Sequence, residues 1–415
     1  MFLLDHIAFT GFSRNAKVKR SFSVATLFTI SMFRLFLTFI LLTLLTSCKV
    51  TPNLSSPAHV EKLVKQIKTN PENIPAIAKQ AEQSHQAIKY DVAKIKQALA
   101  ELEQFVEKQW GKGNSELPST RKYVKYSNDY QARAIIDFTK GSVTVETVAT
   151  KQPLAMLKQA VVTTLLTPAD PANTDIFSSD APKLGATPFL YRQVIDTDKK
   201  PIRYQWRAGR FADYLVKQRL IKKRLGKKPL HQVNFTLVTD HQKLRKHQFS
   251  DYVIAASKKY QIAPSLIYAI IETESSFNPF AVSHANAYGL MQVVPATAGR
   301  DVYQKIKRKP GQPSKQILFN PAQNIDIGTA YLSILDDRYL QKVTNSKSKH
   351  YAIISAYNGG TGNVLKTFHS NRNTAFSRIN QLESKSVYWA LTNKHPRAES
   401  RNYLKKVTSR EPKYQ

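Results

Sequence analysis

Two glutamates, Glu272 and Glu274, stand near the end of the apolar run in IIETESSFNP (270–279). A carboxyl in that position can do acid–base chemistry if burial keeps it protonated. Pro264 suits the first turn of a helix, where its missing N–H would be unpaired anyway. From there Ile267, Ile270 and Ile271 form one apolar stripe, and Glu274 continues it at helical spacing. Glu272 is expected to point to solvent, and Asn278-Pro279 to end the helix. Burial and the negative end of the helix dipole should both raise the pKa of Glu274. A glutamate protonated near neutral pH is what a general acid for glycoside cleavage requires. On this helix alone, a glutamate buried against a lysine or arginine is an equally good reading.

Three later stretches carry matching residue types. AYGLMQVVPATA (287–298) supplies Gly289, where a backbone could approach a ligand, and the amide of Gln292. SAYNGGTGNV (355–364) sets Tyr357 and Asn358 ahead of a glycine turn, and HPRAESRNYLKKV (395–407) adds Glu399 and Tyr403. Tyrosine faces and amides beside glycine-permitted backbone suit a sugar-binding groove. Each also has a plain reading, as a helix cap, a packed turn or a core tyrosine. Asp301, Asp326, Asp336 and Asp337 lack the supporting motif that a second catalytic carboxylate would have. The ten histidines form neither HExxH nor a tight cluster, and the single cysteine leaves no Cys-based zinc spacing. No metal site and no cofactor is expected.

The ordered set is specific: ES-x-x-N-P at 274–279, S-x-x-x-x-x-G-L-M-Q at 283–292, A-Y-N-G-G at 356–360 and E-S-R-N-Y at 399–403. With NPAQNIDIGTAYL (320–332) between the second and third, it resembles the lytic transglycosylase family with the goose-type lysozyme fold, from Asp251 to the C-terminus. The resemblance implies peptidoglycan glycan strands as substrate and Glu274 as the single catalytic acid and base. It also implies that Ser283 and Gln292 line the groove and Tyr357 stands beside the acid, while Glu399 and Tyr403 support the substrate end. In the implied reaction Glu274 protonates the bond between N-acetylmuramic acid and N-acetylglucosamine. The muramoyl 6-hydroxyl then closes on the anomeric carbon as a 1,6-anhydro sugar. An internal hydroxyl at high effective molarity replaces water, so no second carboxylate is needed. The competing readings are a muramidase that uses water and a silent peptidoglycan-binding lipoprotein.

The elements that must position these residues divide the chain into four parts. Residues 1–48 read as a signal peptide: MFRLFLTFILLTLLTSCKV (32–50) has Arg34, an apolar run and small residues before Cys48, the layout of a secretory signal. LTSC resembles a bacterial lipobox, so Cys48 is the expected lipidation site and Met32 the expected initiator. Lys49 after the cysteine fits a protein held on the outer membrane and facing the periplasm. Residues 49–118 read as a Pro- and Ser-rich tether followed by an amphipathic helix with a stripe of Ile88, Val92, Ile95, Leu99, Leu102 and Val106. That stripe packs on its own domain rather than in a coiled coil. Residues 119–240 read as an α+β domain. It has a hairpin over 131–148 around Lys140-Gly141, a helix from Pro153 to Leu166, and short strands near 189–195 and 202–206. A helix near 208–225, basic over VKQRLIKKRL, and a strand at 233–238 complete it. Residues 241–415 read as a mainly α, lysozyme-like catalytic domain with loops at 307–316 and 344–350.

Composition constrains the rest. Lys and Arg number 62 against 29 Asp and Glu, a formal charge of +33 over 415 residues. The excess is diffuse and favours polyanions in general. The export signal argues against nucleic acid as partner, and the sequence names no protein partner.

Overall fold

The computed structural model describes residues 97–415 except residue 186. Met32, Cys48, the tether and the stripe before residue 97 lie outside the described residues.

The sheet-containing region begins with helix α1 (97–110 as described). Five antiparallel strands follow in the order β1-β2-β3-β5-β4: β1 Lys122–Ser127, β2 Ala132–Asp137, β3 Ser142–Thr147, β4 Ile221–Leu225 and β5 Lys228–Thr236. Period-two alternation gives the sheet two apolar faces. Val124, Tyr126, Val148 and Leu230 form one cluster with Leu102, Val106 and Trp110 of α1, so that helix packs on its own domain as expected. The Arg133 guanidinium covers the Trp110 ring at 3.9 Å and pairs with Glu146 across β2–β3 at 2.7 Å. The other face, with Tyr123, Ala134, Ile136, Val143 and Val145, packs beneath Leu157, Val161 and Leu165 of α2 (Pro153–Leu166).

The expected hairpin and α2 are present, and β1 adds a strand on the outer side of β2. Two expectations fail. The helix near 208–225 is instead α3 (Gln205–Gln218) followed by β4. Gly226, at φ 59°, turns β4 back onto β5, and that pairing overrides the local helical tendency of IKKRL. Lys222, Lys223 and Arg224 are exposed there, and charge on an edge strand discourages further pairing. The strands expected near 189–195 and 202–206 are turns with one isolated bridge, Ile195 to Pro201, and Gln205 already begins α3.

Helices α4 (His241–Gln248) and α5 (Ser250–Tyr260) lead into the mainly helical region. Arg245 is fully buried; it donates to Gln193 Oε1 at 3.0 Å and to the Phe138 carbonyl at 3.2 Å, and contacts His241 Nδ1 at 2.8 Å. Burial lowers its pKa to about 9. The rings of Phe138, Phe189, Phe280 and Tyr123 meet edge to face at 4.9–5.6 Å, so one core runs through both regions. The remaining helices are α6 (Pro264–Ser275), α7 (Arg300–Lys305), α8 (Lys315–Phe319), α9 (Pro321–Ile334), α10 (Ser346–Gly359), α11 (Thr361–Lys366), α12 (Arg372–Gln381), α13 (Ser384–Asn393) and α14 (Ala398–Arg410). Asn345 caps α10 by accepting from the Ser348 amide, so the expected 344–350 loop is mostly the first turn of that helix.

Candidate active site

Helix α6 forms as the sequence suggests, with Pro264 at its first position and Ile267, Ile270 and Ile271 fully buried. Its end is set by Ser276 and Phe277, both in the left-handed region at φ 52° and 60°. Glu274 therefore sits in the last turn, at the negative end of the helix dipole. Its side chain keeps some solvent access while protein encloses most of it. Burial dominates and raises its pKa from 4.5 to about 8. The Tyr403 hydroxyl and the Arg121 guanidinium pull it back down, and the charge of Glu399 adds to the rise.

The walls come from three segments. Tyr403 of α14 is buried, and among the described residues its hydroxyl has no hydrogen-bond partner within bonding distance. It nonetheless favours the charged form of the Glu274 carboxyl. Tyr357 of α10 donates to the Met291 carbonyl at 2.9 Å and packs against the Tyr331 ring at 5.8 Å. The negative charge of Glu274 adds to the upward push that burial gives both tyrosines. The third wall is the loop after α6. Ser275 reaches the Leu290 carbonyl at 2.8 Å, tying the helix end to GLMQ. Gln292, at φ 47°, donates to the carbonyls of Gly289 at 3.0 Å and Ala281 at 3.2 Å, while its buried Oε1 has no partner.

Not every sequence candidate has the expected surroundings. Ser283 caps its own turn, its hydroxyl accepting from the amides of Ala285 and Ala287 at 3.3 and 3.2 Å. Gly289 is required by the fold itself. At φ 71°, a Cβ there would lie 2.5 Å from both Asn324 Nδ2 and the Leu318 carbonyl, so its conformation and Asn324 demand the glycine. Asn358 donates to Glu399 at 3.3 Å and accepts from Ser400 at 2.6 Å, while Glu399 is also paired with Arg397 at 3.0 Å and stays exposed. Gly359 lets α10 meet α14, since a Cβ would come within 2.6 Å of Ser400 Oγ. Asp301, Asp326 and Asp336 are held by Lys305, by Lys259 with Lys307, and by Lys349.

Glu272 corrects the sequence reading outright. It is 9% exposed rather than solvated, paired with Arg410 at 3.1 Å and Lys413 at 3.5 Å, and it accepts from the Tyr414 hydroxyl at 2.9 Å. Arg410 also donates to Thr273 Oγ1 at 3.2 Å. The buried-carboxylate reading thus belongs to Glu272, and among the described residues Glu274 has no cation in contact. Arg121, from the segment before β1, was not a sequence candidate. It donates to the Thr273 carbonyl at 3.2 Å, and the Asn278 amide reaches the carbonyls of Thr120 and Ser119 at 3.3 and 3.5 Å. No local motif announces Arg121, because its partner is 152 positions away.

An enclosed, proton-holding carboxyl with two tyrosines close to it can protonate a polar oxygen brought beside it. Comparison with known proteins agrees. Residues 58–248 match the N-terminal domain of membrane-bound lytic murein transglycosylase C, and residues 251–380 match the transglycosylase SLT domain. The membrane-bound lytic murein transglycosylase C of Yersinia enterocolitica is 47% identical over 310 residues, 74% of this chain and 86% of its own. That of Serratia proteamaculans is 46% identical over the same shares. A solved structure of an inactive mutant of lytic transglycosylase Slt from Pseudomonas aeruginosa is 28% identical over 40% of this chain and 23% of its own. Its TM-score is 0.31, too low for positions to be compared. The chain belongs to the membrane-bound lytic murein transglycosylase C family and is a peptidoglycan lytic transglycosylase.

Proposed function

We propose that Glu274 is first the acid and then the base of this reaction. Protonated near neutral pH, it gives its proton to the oxygen of the β-1,4 bond between N-acetylmuramic acid and N-acetylglucosamine, and the C1–O bond breaks. The carboxylate so formed takes the proton of the muramoyl 6-hydroxyl, whose oxygen closes on C1. The products are a 1,6-anhydromuramoyl end and a free 4-hydroxyl, and no water is consumed. A single observation carries this reading: Glu274 has a pKa raised to about 8 and, among the described residues, no cation in contact, while its neighbour Glu272 is paired. Tyr403 and Arg121 lower the cost of the transient carboxylate, since both favour the charged form. Glu399 is engaged with Arg397 and Asn358, which suits a supporting part rather than a nucleophile. Gln292 Oε1, without a partner among the described residues, supplies an acceptor for sugar substituents.

Anchoring belongs to the same proposal. The LTSC sequence and the membrane-bound description of the relatives support attachment through lipidated Cys48 to the outer membrane, on its periplasmic side. Each buried acyl methylene adds about 0.8 kcal/mol. Among the described residues no helix is long and apolar enough to cross a membrane. Mass spectrometry of fragments released from sacculi by wild type and Glu274→Gln tests the chemistry. Anhydro ends from wild type and none from the variant are expected. Reducing ends would replace the proposal with hydrolysis, and full activity in the variant would remove Glu274 from its role.

A further inference from the structure

Helix α3 begins with a cluster of exposed rings that its packing does not use. Its buried face is Ala208, Phe211, Ala212 and Leu215. Tyr204 and Trp206 lie off that face, 59% and 58% exposed. Tyr204 holds the position before the first helical residue, where Ser, Thr, Asp or Asn would satisfy an amide; it caps nothing.

The rings are held in place. The Arg203 guanidinium lies over Tyr191 at 5.6 Å and Tyr204 at 5.7 Å, and those of Arg207 and Arg210 lie over Trp206 at 4.4 and 5.6 Å. Arg207 and Arg210 are each fixed from behind by Asp196 and Asp198. The Asp196 side chain is 1% exposed, and its Oδ1 accepts from the amides of Asp198 and Lys200 at 3.0 Å each. An arginine that merely covers a tryptophan needs no buried carboxylate to aim it. This one is a rigid surface of ring faces bordered by oriented N–H groups.

We propose that Tyr204 and Trp206, with Arg203, Arg207 and Arg210, form a second glycan-binding surface that holds a peptidoglycan strand outside the cleavage site. The proposal rests on the chain's action on peptidoglycan. Asp196 and Asp198 match Arg207 and Arg210 at Trp206, leaving Arg203 as the one cation of this set with no acid in contact among the described residues, far less positive charge than an anionic membrane would draw on. Flat rings with few rotatable bonds suit the C–H face of a pyranose, and guanidinium N–H groups suit its hydroxyl and acetamido oxygens. Holding one strand raises the effective concentration of the next bond at the cleft.

The test uses full chains carrying Tyr204→Ala with Trp206→Ala, and separately Trp206→Phe. Retention on insoluble sacculi is measured in high salt, which screens the diffuse positive charge. Turnover is measured on sacculi and on a soluble four-sugar peptidoglycan fragment. The double variant should bind sacculi roughly tenfold more weakly, equivalent to the loss of about 1.4 kcal/mol. Its KM on sacculi should rise alike, turnover of the soluble fragment should be unchanged, and Trp206→Phe should keep most of the binding. Unchanged retention would overturn the proposal. So would an equal loss on the soluble fragment, or loss of binding to anionic phospholipid vesicles with sacculus retention intact. Retention does not depend on turnover, so failure of this surface and failure of the catalytic reading show separately.

Discussion

Glu274→Gln keeps the shape of the side chain and removes the proton that the site retains. In wild type the folded-state pKa of about 8 stands above the ordinary 4.5. Between those values the folded chain holds a proton that the unfolded chain has released, so stability falls as pH rises. At about 1.4 kcal/mol per pH unit the ceiling on that loss is about 5 kcal/mol, reached above pH 8. Part of the side chain is open to solvent, and screening there reduces the expected loss to about 2–3 kcal/mol. The amide escapes this loss. Urea unfolding at a series of pH values should give nearly equal stabilities for the two proteins at pH 5. The variant's advantage should grow through pH 6–8 and level off near pH 9. A difference that stays flat with pH, or a wild type that gains on the variant as pH rises, refutes a protonated Glu274. The second outcome would mean that the protein stabilises the carboxylate.

Tyr403→Phe removes a hydroxyl that favours the charged form of Glu274. The alkaline limb of the turnover profile should move to higher pH and turnover should drop roughly 10- to 100-fold; an unmoved limb contradicts the assignment. Arg121→Ala should also raise that limb, and equal profiles for wild type and variant would separate the sheet-containing region from the chemistry. Arg410→Ala leaves Glu272 buried with weaker partners and should cost about 2–4 kcal/mol in urea unfolding. Adding Glu272→Gln should recover part of that cost. Gly289→Ala meets both a positive φ and a 2.5 Å contact with Asn324, so a loss of about 3 kcal/mol or more is expected in thermal unfolding.

Much of this was legible in the sequence where local rules decide. Pro153 and Leu166 bound α2, Pro264 opens α6, and the run of isoleucines gives the face on which Glu274 lies. Legibility ended where distant pairing decides. IKKRL carries helical propensity, but β5 pairs with it and makes it a strand. Glu272 looked like a surface charge because its partners, Arg410, Lys413 and Tyr414, lie far along the chain. The two glutamates were separable by helical phase, yet phase alone did not reveal that both are largely enclosed. Gly289 was singled out for ligand approach, while its packing against Asn324 went unread because nothing in GLMQ announces that contact. The same holds for Arg121, whose contact crosses from the sheet-containing region to the end of α6.

The bond from Tyr414 to Glu272 spans 142 positions, and it fastens the helix that carries the acid. A chain still being synthesised has all of α6 long before it has that tyrosine. Until then Glu272 is a carboxylate missing its cations, and the last turn of α6 lacks the contacts that hold it. The helix that carries the acid is thus seated by chain made long after it, so α6 folding by itself leaves its last turn unfastened.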